Sequence, residues 1–241
     1  MTVSIVIPVK NEEKVLPRLL RSIHRQSMQP VEVIVADANS TDSTRYLAQA
    51  MGAQVVDGGL PGSGRNRGAE VATGKYILFL DADVELHDPN FLQRAIDQVK
   101  DRQLAIATVD VAPIDGTPYD NLSHKFYNRY VRLWGAKHPH APGFCMLVRR
   151  DIHNQIGGFD ESVIFAEDHE YAGRASKKGK FGFLSGIAIP VSVRRQNRDG
   201  RINMGIKYIL AELHILTLGP IRHNKFNYTF GYGKKGKKSI V

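Results

Sequence analysis

Two aspartates one residue apart close an uninterrupted apolar run, Tyr76-Ile77-Leu78-Phe79-Leu80-Asp81-Ala82-Asp83. Carboxylates placed this way can both approach one hard cation, and Mg²⁺ prefers such oxygen ligands while keeping phosphate oxygens in its shell. An Asp-x-Asp also occurs as two solvated turn residues. Its position after a fully apolar strand favours the metal reading, because ligands of open α/β sheets gather beyond the carboxyl ends of the strands. A second acidic group is Phe165-Ala166-Glu167-Asp168-His169-Glu170. A carboxylate there, beside a metal-bound diphosphate, could act as general base toward an acceptor hydroxyl; the plainer alternative is an acidic helix N-terminus favoured by the dipole. Pro8-Val9-Lys10-Asn11-Glu12 and Asp37-Ala38-Asn39-Ser40-Thr41-Asp42 end two neighbouring strands and so reach one edge. Asp37 could bind a base or ribose there, while Ser40 and Asp42 serve as helix caps. Finally, Gly62-Ser63-Gly64-Arg65-Asn66-Arg67-Gly68 reads as a Gly-rich loop whose arginines suit diphosphate or base contacts. It lacks the Gly-x-Gly-x-x-Gly spacing and does not follow the first strand, which argues against a nicotinamide cofactor.

Positioning these groups requires a scaffold, and the pattern supplies one. Short apolar runs at 3–9, 31–37, 53–56, 76–81 and 104–109 read as strands. Between them lie helical spacings: Val15, Leu16, Leu19, Leu20 and Ile23 after a capping Asn11, a helix stopping near Gly52, and one opened by Asp88-Pro89. This alternation predicts an α/β three-layer sandwich, Rossmann-like, with a largely parallel central sheet. From 110 to 145 prolines break the pattern, and a helix around 120–134 is expected before a loop containing His138-Pro139-His140, read as a surface loop by default with a metal role as the alternative. A strand at 145–148, a helix at 166–178, one or two strands at 181–193 and a last helix at 202–218 complete the reading.

Taken together, residues 6–13 (Val-Ile-Pro-Val-Lys-Asn-Glu-Glu), Asp37 with Ser40-Thr41-Asp42, Arg65-Asn66-Arg67-Gly68-Ala69, Phe79-Leu80-Asp81-Ala82-Asp83, Gly157-Gly158-Phe159-Asp160-Glu161 and Glu167-Asp168 resemble glycosyltransferase family 2, with the GT-A fold, over roughly residues 3–200. The resemblance implies a nucleotide-diphosphate sugar donor. Asp81-Ala82-Asp83 matches the Asp-x-Asp that holds Mg²⁺ or Mn²⁺ against the donor diphosphate, with Asp83 the more direct ligand and Asp81 nearer the ribose or the metal-bound waters. Pro8, Val9, Glu12 and Asp37 match positions around the nucleoside, and Arg65 matches a donor-contacting arginine. Glu167 and Asp168 match the family's acidic pair, with Asp168 as the base of an inverting displacement. Arg194 and Arg195 could assist the leaving group. The Gln-x-x-Arg-Trp motif of processive synthases is absent, since Arg195-Gln196-Asn197-Arg198 matches it only loosely, so the expected transfer is non-processive.

Charge adds a direction. Residues 1–170 hold 18 Lys/Arg against 22 Asp/Glu, a net of −4, whereas 171–241 hold 15 Lys/Arg against Asp199 and Glu212, a net of +13. Ile202, Ile206, Ile209, Leu213 and Leu216 form one apolar stripe, followed by Phe226, Tyr228, Phe230, Tyr232 and a lysine run. A basic amphipathic C-terminal extension, 201–241, beyond a catalytic domain at 1–200, suits an anionic membrane surface. It would bring a lipid-linked acceptor such as a polyprenyl phosphate or a glycolipid within reach; the alternative is a helix packed on the core. One cysteine, no signal peptide and no spanning segment point to a cytoplasmic protein, peripheral at the inner face of the membrane. A sugar nucleotidyltransferase would want a Gly-rich basic loop directly after the first strand, and a haloacid-dehalogenase phosphohydrolase would carry its Asp-x-Asp on that strand. A nucleic-acid-binding protein using the basic tail shows no recognition motif, and no nucleic-acid partner is expected.

Overall fold

A computed structural model describes residues 2–114, 116–135, 137–193, 197 and 200–223. Among these, seven strands form one sheet: β1 (Val3–Val9), β2 (Glu32–Asp37), β3 (Gln54–Asp57), β4 (Tyr76–Leu80), β5 (Leu104–Ile114), β6 (Cys145–Arg149) and β7 (Lys180–Ser192). Their order is β3-β2-β1-β4-β6-β5-β7. β1, β2, β3 and β4 run parallel to their neighbours, as do β5 and β7, while β6 lies antiparallel between β4 and β5. The apolar run of β4 is explained by complete burial on both faces.

Helices cover both sides. α1 (Leu16–His24), α2 (Thr44–Ala50) and α4 (Phe91–Asp101) pack one face through Leu16, Leu19, Leu20, Ile23, Ala48, Phe91, Leu92 and Ile96. α3 (Pro61–Val71), α5 (Pro118–Trp134), α6 (Arg150–Gln155) and α7 (Glu167–Ser176) pack the other, around Phe79, Phe159 and Tyr171. Phe159 and Tyr171 stack at 4.0 Å, and Phe79 meets both edge-on. The chain leaves β1 for one side of the sheet and returns through β4 on the other. The crevice beyond the ends of β1, β2 and β4 is therefore a topological switch point, the expected ligand position of such sheets.

Three local expectations change. Residues 61–71 form helix α3, where a loop is expected from the glycines. The glycines serve contact: a Cβ on Gly68 would lie 2.3 Å from Val6 Cγ1, and one on Gly64 would lie 3.1 Å from Pro8 Cβ. Asn11 does not cap α1. It sits in the left-handed region (φ 56°), as does Asn39 (φ 54°), a conformation Asn tolerates better than most residues. The two strand-end loops are instead laced together. The amides of Asn11, Glu12 and Glu13 donate to Ser40 Oγ, Thr44 Oγ1 and Asp42 Oδ2 at 2.8, 2.8 and 3.2 Å, and Thr41 N donates to Asn11 Oδ1 at 2.8 Å. Asp88 likewise caps a turn, accepting from Asn90 N at 2.9 Å, and α4 starts later at Phe91.

The last helix, α8 (Arg201–Leu218), meets α5 through side chains at two points, Arg201 with Asp120 and Glu212 with Tyr130. Arg201 Nε and Nη2 grip both oxygens of Asp120, each at 2.8 Å, and Asp120 also completes a capping box with Thr117 at the start of α5. After α8 the chain returns so that Ile164 N donates to Ile221 O at 2.9 Å, and Ala211, Ile215 and Ile221 pack on Phe165. No helix of the described residues is long and apolar enough to cross a membrane.

Candidate active site

The first wall of the crevice comes from β1 and β2. Their register sets Pro8 beside Ala36 and Val9 beside Asp37. Asp37 is buried, 2% exposed; its Oδ2 accepts from Ser40 N at 3.2 Å and lies 3.6 Å from Arg45 Nη1. Its Oδ1 is buried with no protein partner. An unsatisfied buried oxygen of this kind costs about 1–3 kcal/mol, a debt that an incoming ligand N–H or O–H would relieve. Glu12 is buried close by, held through its own amide on Thr44.

The second wall joins the two acidic motifs through one guanidinium. Arg65 is 2% exposed and projects from α3 between β4 and α7. Its Nη1 donates to Glu167 Oε1 at 2.7 Å and its Nη2 to Asp81 Oδ1 at 2.9 Å. Burial resists its charge, but Asp81 and Glu167 outweigh that and hold it more firmly protonated than usual. Burial, and then the neighbouring Asp168, push the Glu167 carboxyl upward, with Arg65 opposing. The site has room for this guanidinium because position 143 is glycine: a Cβ there would lie 2.3 Å from Arg65 Nη2. The same Gly143 amide donates to Asp168 Oδ2 at 2.7 Å, and Asp168 Oδ1 accepts from His169 N at 2.9 Å. Glu167 is thus committed to Arg65, whereas Asp168 is oriented by backbone amides. Ala166, just before them, takes a left-handed conformation (φ 57°) that directs the start of α7 into the crevice.

A hidden frame holds α3 in place. Asn66 exchanges two bonds with the Phe159 backbone, at 2.9 and 2.7 Å, and Ser63 and Asn66 both donate to Glu161. Gly157 and Gly158 adopt positive φ, and a Cβ on Gly158 would lie 2.5 Å from Asn66 Oδ1. The Gly157–Glu161 motif therefore positions Arg65 indirectly.

Of the residues expected in the site, Pro8, Val9, Glu12 and Asp37 line one edge, Arg65, Asp81 and Glu167 form one hydrogen-bonded group, and Asp168 stands next to it on the amides of Gly143 and His169. Arg65 belongs to a rigid helix and its Nη groups hold protein carboxylates; the flexible arginine loop expected from the glycines is not what forms. Ala82 is buried. Asp83 lines a cleft of about 210 Å³ with Arg18, Glu85, Ser192 and Asn197, and its carbonyl accepts from Ser192 N at 3.4 Å. Asp81 and Asp83 offer hard carboxylate oxygens, the donor type that Mg²⁺ and Mn²⁺ take, and one Asp81 oxygen is already engaged by Arg65. Arg194 and Arg195 lie outside the described residues, as do Arg198 and the aromatic and lysine-rich stretch from 224 onward. Gly143 escaped the sequence reading; its signal was the Pro-Gly pair just before β6. The apolar side chains of α5 also escaped it.

The opposite rim is built from α5, the loop before β6, and α8. Here Leu122, Phe126 and Leu133 of α5 are 68–79% exposed, and the α8 stripe of Ile202, Ile206, Ile209, Leu213 and Leu216 is 44–76% exposed. α8 buries the other side of its cylinder, through Met204 and Ala211. Lys125, Arg129, Arg132, Arg201 and Lys207 occur on the same two helices.

Comparison with known proteins agrees with this geometry. The model of the family described as "Glycosyl transferase family 2" matches residues 4–157. The chain is 37% identical to 4,4'-diaponeurosporenoate glycosyltransferase of Staphylococcus haemolyticus over 52% of this chain and 36% of that protein. It is 37% identical to poly(ribitol-phosphate) beta-glucosyltransferase of Bacillus spizizenii over 75% of this chain and 30% of that protein. It therefore spans about a third of the length of these curated relatives. Among solved structures, S. aureus TarS in complex with UDP-GlcNAc superposes with a TM-score of 0.63 at 22% identity, over 80% of this chain and 58% of that one. The mannosyltransferase PcManGT from Pyrobaculum calidifontis, in complex with GDP-Man and Mn²⁺, gives 0.64 at 21% identity, over 79% and 56%. With the sheet order, the acidic strand end and the matched family model in agreement, the chain belongs to glycosyl transferase family 2 and has the GT-A fold.

Proposed function

We propose that this protein transfers a sugar from a nucleotide-diphosphate donor to an acceptor hydroxyl or phosphate, with inversion at the anomeric carbon. The observation that carries the reading is the buried Arg65, which ties the strand-end aspartate Asp81 to Glu167, the first member of the acidic pair on α7. Similarity to proteins solved with UDP-GlcNAc and with GDP-Man and Mn²⁺ supports a nucleotide-sugar donor and a divalent ion.

Each residue then has a distinct task. Asp37, with its unpartnered buried oxygen, accepts a hydrogen bond from the base or ribose, beside Pro8, Val9 and Glu12. Asp83 and Asp81 would hold Mg²⁺ or Mn²⁺, which when bound offsets charge on the departing diphosphate. Arg65 fixes Asp81 and keeps Glu167 paired, so that Asp168 is the carboxylate left to take the acceptor proton. Its two amide contacts orient it without neutralising it. Arg194 and Arg195, directly after the β7 segment that meets Asp83, are assigned to the diphosphate on sequence position alone.

For the acceptor, the exposed apolar rims of α5 and α8 with their basic residues favour a lipid-linked molecule presented at an anionic membrane surface. Residues 1–200 would be the catalytic domain and 201–241 the membrane-facing extension. The test is a thermal-shift panel of UDP-, GDP- and dTDP-sugars with and without Mn²⁺. A true donor raises the melting temperature in a Mn²⁺-dependent manner, and Asp83→Ala abolishes that dependence while unfolding stays cooperative. A shift that is identical with and without Mn²⁺ would reject the metal assignment.

A further inference from the structure

Three side chains from three separate elements meet beside Asp168, apart from the Asp81–Asp83 pair. They are His140 from the loop before β6, His169 from the first turn of α7 and Glu212 from α8. One ligand atom of each lies within 4.8 Å of the other two. His140 Nε2 stands 3.0 Å from Glu212 Oε1, and the His140 and His169 rings are 4.5 Å apart. His140 is buried, and the side chains of His169 and Glu212 are about four-fifths buried.

The hydrogen bonds fix which atoms face inward. His140 Nδ1 lies 2.7 Å from the His138 carbonyl, and a carbonyl only accepts, so Nδ1 carries a proton. The lone pair of the neutral ring is then on Nε2, directed at a carboxylate oxygen. Two acceptors at that distance repel, so a positive charge must lie between them: either a second proton on His140 or a cation. Burial resists the protonated ring, whereas Glu212, the His138 carbonyl and Asp168 favour it and the balance lies upward; a cation bound there would take the place of that proton. The His169 ring supplies the second nitrogen of the cluster.

The outer contacts are those of a metal site. An Nδ1–H bonded to a backbone carbonyl is the usual support for an Nε2 ligand, and Tyr130 Oη donates to Glu212 Oε1 at 3.2 Å in the corresponding place on the carboxylate. Two imidazoles and one carboxylate make a donor set that binds zinc with a fourth position open. Tetrahedral bonds of zinc length put neighbouring ligand atoms about 3.3 Å apart, close to the His140–Glu212 separation already present.

We propose that His140, His169 and Glu212 bind a zinc-class divalent ion, separate from the donor-side metal, that fastens α8 to the loop before β6 and to the turn carrying Asp168. Nitrogen donors select this ion over Mg²⁺, which the all-oxygen Asp81–Asp83 pair suits better. The proposal stands apart from sugar transfer, because the site can be loaded on the protein alone.

The experiment uses the full chain, stripped with chelator, and adds Zn²⁺ without nucleotide. The wild type should gain several degrees in melting temperature, and Asp83→Ala should gain as much. Glu212→Gln and His140→Gln should each lose most of the gain. Should a variant fold poorly, Co²⁺ in the wild type gives a second reading through intense visible bands of tetrahedral coordination, which Zn²⁺ then erases. Absence of both the shift and the bands in the wild type, or an equal shift in Glu212→Gln and His140→Gln, overturns the proposal. None of these outcomes bears on whether the protein transfers sugar.

Discussion

The two rims of the crevice are built on opposite plans. The donor rim is made of strand ends whose loops hydrogen-bond to each other, backed by a helix whose glycines let it lie directly on β1. Its central ion pair, Arg65 with Glu167, is buried, and the same guanidinium holds the partly exposed Asp81. The rim proposed for the acceptor is made of two helices that meet through a few polar contacts, Arg201 with Asp120 and Tyr130 with Glu212, and that leave large apolar side chains in solvent. The difference suits the division of labour proposed above. A phosphate-bearing donor needs fixed charges, and fixed charges need a packed surround. An acceptor delivered from outside needs a surface that is still open.

The sharpest break between the rims is catalytic. Asp168→Asn keeps the amide contact to Gly143 and removes the base, so transfer should fall about 10²- to 10⁴-fold while donor binding persists. Radiolabelled transfer assays and calorimetry with donor separate the two; loss of donor binding in step with transfer would move Asp168 to the donor rim. Next in size is Arg65→Met, which strands Glu167 in a buried site. The cost should be about 3–5 kcal/mol in urea unfolding, with Arg65→Lys intermediate. A cost under about 1 kcal/mol would mean that the donor rim is not held by this network.

The packed half should also carry an acid limb. Burial, aided by Arg174, pushes His153 down to about 4, and its Nδ1 meets Tyr171 Oη at 2.8 Å. Between the unfolded value of 6.5 and the folded value of about 4, the unfolded chain binds a proton that the folded chain refuses. Stability is therefore intact above that window and declines as pH falls through it, by about 3 kcal/mol in full. His153→Gln should flatten this limb in denaturant titrations run from neutral to acid pH. The smallest effect on stability belongs to the open rim. Phe126→Ser with Ile206→Ser, both on exposed side chains, should change unfolding by about 0.5 kcal/mol or less and yet weaken binding to anionic liposomes in flotation assays. Undiminished flotation would remove α5 and α8 from the membrane reading.

The same contrast explains what could be read from the residues. The strands of the donor rim announce themselves through continuous apolar runs, and Asp37 and Asp81 follow from where those runs stop; the Glu167-Asp168 pair stands out instead as part of four titratable residues in a row. Arg65 was legible as a charged residue near the donor, but its role was not. A glycine-dense stretch looks like a loop until Val6 and Pro8 are seen pressing against it. β6 was legible as a strand, yet its antiparallel insertion between β4 and β5 depends on long-range pairing that no local pattern encodes. The stripe on α8 was visible from spacing; that it faces outward, and that Leu122, Phe126 and Leu133 of α5 do likewise, depends on tertiary packing. The meeting of His140, His169 and Glu212 was hidden because the three lie far apart in the chain and join only when α8 folds back.

The most direct measurement is a crystal of this protein soaked with UDP or GDP and Mn²⁺. The account predicts a nucleoside at Asp37 and a Mn²⁺ peak in anomalous maps at Asp83, with the diphosphate between that ion and the end of β1. Nucleotide bound elsewhere, or an empty β4 strand end at saturating nucleotide and Mn²⁺, would contradict it.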